Sequence, residues 1–256
     1  MCLIFIAIEK HPTYKLIIAA NRDEFYERPT APACFWDDAP GLLAGRDLRA
    51  GGTWLGITTS GRIAAITNYR DPASITDNAP SRGELVSGFL LGKENPVDYL
   101  ARLKQKAGGY NGFNLIVGHK NELCWFSNRG AGREELTPGI HGLSNGLLNT
   151  PWPKVTGGKE ALARILSEQK SGLTDALFDM LADRSVAEYA DLPDTGVGIA
   201  WERTLSSIFI ASPMYGTRSS TVILIDGKGN VIFIEKSFDS DRGKDAVVRH
   251  AFRIAA

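Results

Sequence analysis

Met1-Cys2-Leu3-Ile4-Phe5-Ile6-Ala7-Ile8 and, after a break at 9–13, Tyr14-Lys15-Leu16-Ile17-Ile18-Ala19-Ala20 running into Asn21-Arg22-Asp23-Glu24 are the stretches that decide the fold. Each is a continuous apolar run of strand length, and Pro12 punctuates the gap between them. Two such runs joined so closely make an antiparallel hairpin. Neither alternates with polar residues, so both faces of the pair are expected to be buried, inside layers of helix or sheet.

Working outward, 53–59 and 62–69 read as strands joined at Ser60-Gly61. Two helices follow. Ser81-Arg82-Gly83-Glu84 has capping-box spacing before an apolar stretch ending near Leu91, and Asn95-Pro96 is a cap with proline at the first helical position. Residues 113–117 and 123–126 read as a hairpin around Lys120-Asn121. Ala161, Leu162, Ile165 and Leu166, then Leu177, Met180 and Leu181, follow helical spacing. The chain closes on predicted strands at 208–211, 221–225 and 231–235, the last two joined by the glycine-rich turn 226–230. Strands and helices arrive in groups, which predicts an α+β protein of antiparallel sheets rather than a doubly wound parallel sheet, and a single domain over 1–256.

Composition narrows the function. The 256 residues carry 29 basic and 29 acidic side chains, a net charge of zero, with 43% hydrophobic content. This balance lacks the basic footprint of nucleic-acid binding and excludes wholesale disorder. No apolar run approaches the ~20 residues of a transmembrane helix, and the start lacks the basic flank of a secretory signal. Three cysteines without a CxxC pair argue against a disulfide framework, and no His/Cys clustering suggests a metal. The expected setting is cytoplasmic, with no cofactor and no metal; the sequence leaves the oligomeric state open.

Cys2 is the most informative position. Removal of Met1 exposes a thiol and a free α-amine on one residue, and an amine of pKa roughly 7.7–8.0 can serve as base for that thiol. The commoner use of such a cysteine is as a small hydrophobe at a strand edge. Pairing Glu9 opposite Tyr14 places Cys2 opposite Asn21 and brings Asn21-Arg22-Asp23-Glu24 beside it. An apolar strand running into four polar residues breaks its own pattern, as functional sites do. In an extended segment, either Asn21 with Asp23 or Arg22 with Glu24 faces Cys2. Asp23 can orient the amine, though a helix cap or solvated turn explains the segment equally well. Asn68 and Asn145 stand at strand ends, where uncharged amides suit an oxyanion hole. Arg218 precedes a strand and can take a carboxylate or phosphate. The stretch 45–54, including Arg46, fits no nucleotide-binding fingerprint and reads as a loop lining the pocket.

Seven separated motifs then fall into one order: Met1-Cys2-Leu3; Ala20-Asn21-Arg22-Asp23-Glu24; Gly45-Arg46-Asp47 with Ala50-Gly51-Gly52-Thr53-Trp54-Leu55-Gly56; Thr67-Asn68-Tyr69-Arg70; Ser81-Arg82-Gly83-Glu84-Leu85; Leu143-Ser144-Asn145-Gly146 with Trp152-Pro153-Lys154-Val155; and Tyr215-Gly216-Thr217-Arg218-Ser219-Ser220-Thr221. Together they closely resemble the NRDE family, also called the transport and Golgi organization protein 2 family, over nearly the whole chain. The resemblance implies a four-layer αββα sandwich of the N-terminal nucleophile hydrolase type, at a distance similar to the choloylglycine hydrolase and penicillin acylase group. It implies that Cys2, Asp23, Asn68 and Asn145 are catalytic positions, with Asn21, Arg22, Arg46 and Arg218 toward the substrate. The distant group carries an arginine three residues before its aspartate; here that position is Ala20, and the nearby arginine is Arg22. Two functions remain open: an N-terminal cysteine hydrolase of a non-peptide amide or acyl (thio)ester, linked to lipid or acyl-CoA metabolism, and a non-catalytic carrier of haem or an acyl lipid.

Overall fold

The computed structural model describes residues 2–120, 122–168, 172–238 and 246–255. In chain order the strands are β1 (Cys2–Ile8), β2 (Tyr14–Phe25), β3 (Thr30–Trp36), β4 (Ala39–Asp47), β5 (Leu55–Thr58) and β6 (Arg62–Asn68). Helices α1 (Gly83–Leu91) and α2 (Pro96–Lys104) follow, then β7 (Phe113–His119), β8 (Glu122–Ser127), β9 (Arg133–Glu135) and β10 (Gly139–Leu143). Helices α3 (Pro153–Glu168), α4 (Leu173–Leu181) and the short α5 (Ile199–Thr204) precede β11 (Tyr215–Asp226), β12 (Asn230–Ser237) and β13 (Ala246–Arg253).

Six strands form one antiparallel sheet in the order β10-β1-β2-β11-β12-β13, and β3 through β9 form a second in sequence order. Strand alternation on β1 explains the layering. Leu3, Phe5 and Ala7 point to one face, where they pack with Val155 and Leu162 of α3 and Leu177 and Leu181 of α4. Cys2, Ile4 and Ile6 point to the other and join the core shared with Ala65 and Ile66 of the second sheet. The second sheet's outer face is covered by α1, through Leu85, Val86, Phe89 and Leu90, and by α2, through Tyr99, Leu100 and Leu103. The result is helix, sheet, sheet, helix, the αββα order expected. Helix α3 lies close on β1 because Gly158 has no side chain: a Cβ there would stand 2.0 Å from Phe5 Cζ.

Several sequence expectations are corrected. The β1–β2 register closes on Ile8 opposite Leu16, with Glu9 in the left-handed region at φ 55°, so Cys2 pairs with Arg22 rather than Asn21. The longer turn moves the pairing by one residue and reverses which side chains share the thiol's face. The segment 30–47 is a strand pair, β3–β4, hidden in the sequence by Pro32, Pro40 and Gly41; much of it belongs to an edge strand, where proline is tolerated. The expected strand at 208–211 reduces to one bridge between Ala211 and Gly216. β13, of mixed composition, gave no strand signal because it is an edge with little buried surface. The capping box at Ser81 does not form: Arg82 occupies the cap, and the Glu84 carboxylate instead accepts from the Tyr110 hydroxyl. Asn95 does cap α2, its Oδ1 accepting from Asp98 N at 2.9 Å. Of the turn expected at Lys120-Asn121, Asn121 lies outside the described residues, as does Met1.

Candidate active site

The ends of β1, β2 and β6 converge on a cleft of about 290 Å3 lined by Cys2, Arg22, Asp23, Trp54, Asn68 and Arg82 among others. Cys2 ends β1 with its side chain between the sheets, 9% exposed. Burial is the main cause that pushes its thiol upward; Asp23 adds to this and Arg22 opposes it. A thiol so placed is mostly protonated near neutrality and needs a local base to react.

The corrected register puts Arg22 beside Cys2. Its guanidinium lies 4.3 Å over the Trp54 ring, donates to Thr30 Oγ1 at 3.1 Å and stands 3.8 Å from Asp47. Asp23 lies on the alternate face of β2, toward the helical layer, where Thr217 Oγ1 donates to its Oδ1 at 2.8 Å. Burial pushes the Asp23 carboxyl upward, and Lys154 is the leading charge that opposes this. Lys154 is itself buried in the first turn of α3, donates to the Leu205 carbonyl at 2.8 Å, and is lowered by burial to about 8.

The two asparagines divide their work. The Asn68 side chain lines the cleft and, among the described residues, has no hydrogen-bond partner for its amide. Asn145 stands behind it, 1% exposed: its Nδ2 donates to the Asn68 carbonyl at 2.9 Å, and its Oδ1 accepts from Ser144 Oγ and, at 3.5 Å, from Arg70. Arg70 is held in turn by a buried ion pair with Glu202 and packs over Trp152. The first sheet's 143–146 end is thereby clamped to the end of β6 in the second.

Three expected substrate contacts lie elsewhere. Asn21 faces the helical layer, donating to the Leu181 and Ile208 carbonyls at 2.8 and 2.9 Å. Arg46 stacks on Trp36 and pairs with Asp38 at 2.7 Å at the surface. Arg218 sits within β11 and donates to the carbonyls of Phe25, Tyr26 and Arg28, holding the turn after β2. The loop 48–54 does reach the cleft, and Gly52 permits it: a Cβ there would meet the Gly83 carbonyl carbon at 2.6 Å.

Sequence reasoning assigned no role to Trp54, Arg82, Lys154 or Tyr215. For Lys154 a signal existed, since a cation in a helix's first turn opposes the helix dipole. For the others only the fold brings them to Cys2. A second, larger cleft of about 750 Å3 adjoins the first, sharing Glu24, Arg28, Asn68, Arg82 and Asn111, and is walled by Phe25, Val197, Trp201, Leu205 and Tyr215.

The sequence model of the Transport and Golgi organisation 2 family matches residues 1–240. The chain belongs to this family. It is 40% identical to the Transport and Golgi organization protein 2 homolog of Bos taurus, covering 99% of each chain. It is also 40% identical to the Homo sapiens homolog, over 93% of each. The family's Drosophila melanogaster protein is 29% identical over 93% of this chain and 92% of its own. Among solved structures, the C2A mutant of conjugated bile acid hydrolase from Clostridium perfringens aligns at TM-score 0.49 and 7% identity, covering 99% of this chain and 97% of that one. A Caenorhabditis elegans N-acylethanolamine-hydrolyzing acid amidase ortholog aligns at TM-score 0.42 and 10% identity, covering 88% and 92%. No helix among the described residues is long and apolar enough to cross a membrane.

Proposed function

We propose that this protein is an N-terminal cysteine hydrolase acting on a non-peptide amide or an acyl (thio)ester. The observation that carries the reading is the convergence of Cys2, Asp23 and an unengaged Asn68 amide at one cleft, built from three strand ends of two sheets. Removal of Met1 supplies the missing base, because the α-amine of Cys2 then lies on the same residue as a thiol that burial keeps protonated. The thiol proton passes to this amine as Sγ attacks the substrate carbonyl. Asn68 donates to the oxyanion, while Asn145 holds the Asn68 main chain in place. Collapse expels the amine, alcohol or thiol, which takes the proton from the α-ammonium, and water then hydrolyses the acyl-thioester by the same relay. Asp23 orients the amine.

Intact-mass measurement is the first test: a chain that retains Met1 refutes the mechanism. On processed protein, an electrophilic amide or thioester probe, with the acyl-enzyme trapped by rapid acid quench, is expected to label wild type and leave Cys2→Ser and Cys2→Ala unlabelled. Labelling that persists on Cys34 or Cys124 would count against Cys2. Saturable ligand binding without turnover, unchanged in Cys2→Ala, returns the protein to the carrier reading, for which the 750 Å3 cleft provides the volume.

A further inference from the structure

The larger cleft holds two polar groups that the fold leaves incompletely partnered. Four arginines line it: Arg28, Arg49, Arg70 and Arg82. Arg28 is paired with Asp47 at 2.7 Å, Arg49 with Glu27 at 3.7 Å and Arg70 with Glu202. Of these four, Arg82 alone has no carboxylate within ion-pair distance among the described residues. Its Nη1 donates to the Gly112 carbonyl at 3.0 Å, and it faces both clefts. The carboxylates of the same wall are engaged as well, Asp71 with Arg129 and Glu24 with Arg28.

The second group is Tyr215. Its ring is set edge-on to Phe25 at 5.2 Å and to Trp201 at 6.2 Å, and only 4% of the residue is exposed. Its hydroxyl is buried without a hydrogen-bond partner among the described residues. A buried phenol left unpaired costs free energy, so its retention calls for an acceptor supplied from outside the chain. Burial, reinforced by Asp23 and Glu24, raises this hydroxyl well above its ordinary range, so it stays a donor. A volume of 750 Å3 suits a small organic ligand, and Phe25, Val197, Trp201 and Leu205 give this otherwise strongly charged cleft one apolar side.

We propose that the larger cleft binds the substrate as an amphipathic anion, its apolar chain against Phe25 and Trp201, its carboxylate or phosphate on Arg82, and a further acceptor on Tyr215. This rests on the reading of Cys2 as nucleophile, which fixes where the scissile carbonyl lies. Arg82, at the junction of the clefts, is then a specificity residue that selects charged over neutral acyl compounds.

Calorimetric binding to the Met1-processed Cys2→Ala protein separates the two readings, because no turnover intervenes. The probes are N-decanoylglycine, its uncharged analogue N-decanoylglycinamide, and decyl phosphate. N-decanoylglycine or decyl phosphate is expected to bind roughly tenfold or more tightly than the glycinamide, the scale of a hydrogen bond to a charged group. Which of the two anions binds more tightly identifies the source of the charge. Arg82→Gln should abolish the preference, and Arg82→Lys should restore part of it. Tyr215→Phe should weaken every probe by roughly three- to tenfold, yet leave the thermal midpoint of the ligand-free protein unchanged or higher, since only an unpaired oxygen is lost. Equal binding of charged and neutral probes, binding of none, or a preference that survives Arg82→Gln overturns the proposal. Charge-selective binding with no hydrolysis by wild type of N-decanoylglycine or of its thioester counterpart S-decanoylthioglycolate would remove the hydrolase mechanism and leave the anion site standing. Hydrolysis with no charge preference does the reverse.

Discussion

Lys154 offers a stringent test of the site's electrostatics. Its ammonium is buried beneath the cleft, with one backbone acceptor, and faces Asp23 of β2, Cys2 of β1, Glu202 of α5 and Arg70 after β6. Burial lowers it from 10.5 to about 8. At 1.36 kcal/mol per pH unit, that drop corresponds to about 3 kcal/mol by which the charged lysine disfavours the folded state. The sign follows from proton counts. Below about pH 8 both states hold the proton and the penalty is present in full. From about 8 to 10.5 the folded state has released it and the unfolded state has not, so stability rises with pH; above that window the gain is complete. Urea unfolding of wild type and Lys154→Met, at constant m value, isolates the contribution. The wild-type stability minus that of the variant is expected to rise by about 3 kcal/mol between roughly pH 7.5 and pH 10.5. A difference that changes by less than about 1 kcal/mol across this range refutes the buried, charged lysine. In the proposed mechanism the same variant should move the acid limb of kcat/KM to higher pH, because Asp23 loses the main cation that opposes its raised carboxyl.

Other perturbations probe the scaffold. Glu202→Ala leaves the Arg70 guanidinium buried without its carboxylate and also removes the acceptor of Thr195 N, so chemical denaturation should show a loss of about 3–5 kcal/mol. Gly158→Ala forces a methyl into the Phe5 ring and should cost about 1–3 kcal/mol, with Phe5→Leu partly relieving it; an unchanged midpoint would contradict the close packing of α3 on β1. Asn95→Ala removes the cap of α2 and should lower stability by about 1 kcal/mol. Asn145→Ala frees the Asn68 carbonyl, so turnover in the proposed mechanism should fall more than binding does.

The strands that build the inner layers were legible because their apolar runs are long and uninterrupted: β1, β2, β6, β7 and β8 stand close to where the sequence puts them. The edge strands β3 and β13, and β4 beside β3, were not. They bury little or contain prolines, and their formation depends on a neighbour's free backbone edge rather than on their own pattern. At the site, Cys2 and the polar end of β2 announced themselves by breaking an apolar pattern. The face each residue uses did not, because it depends on a turn at Glu9 that shifts pairing by one position. That single residue turns Arg22 toward the thiol and directs Asn21 into the helical layer.

By itself, then, the sequence determined the layered antiparallel class, the family, and the segments that carry polar residues out of apolar strands. Those properties are local, written in hydrophobic period and short motifs. Tertiary structure alone decided which of these residues meet. Asn68 ends a strand of one sheet and Asn145 follows a strand of the other, and only their clamp through Arg70 and Glu202 leaves one amide free and the other engaged. Arg82 and Tyr215 come from α1's start and from β11, far apart in the chain, and each is distinguished by a partner it lacks. Missing partners depend on every neighbour in three dimensions, and linear spacing does not encode them.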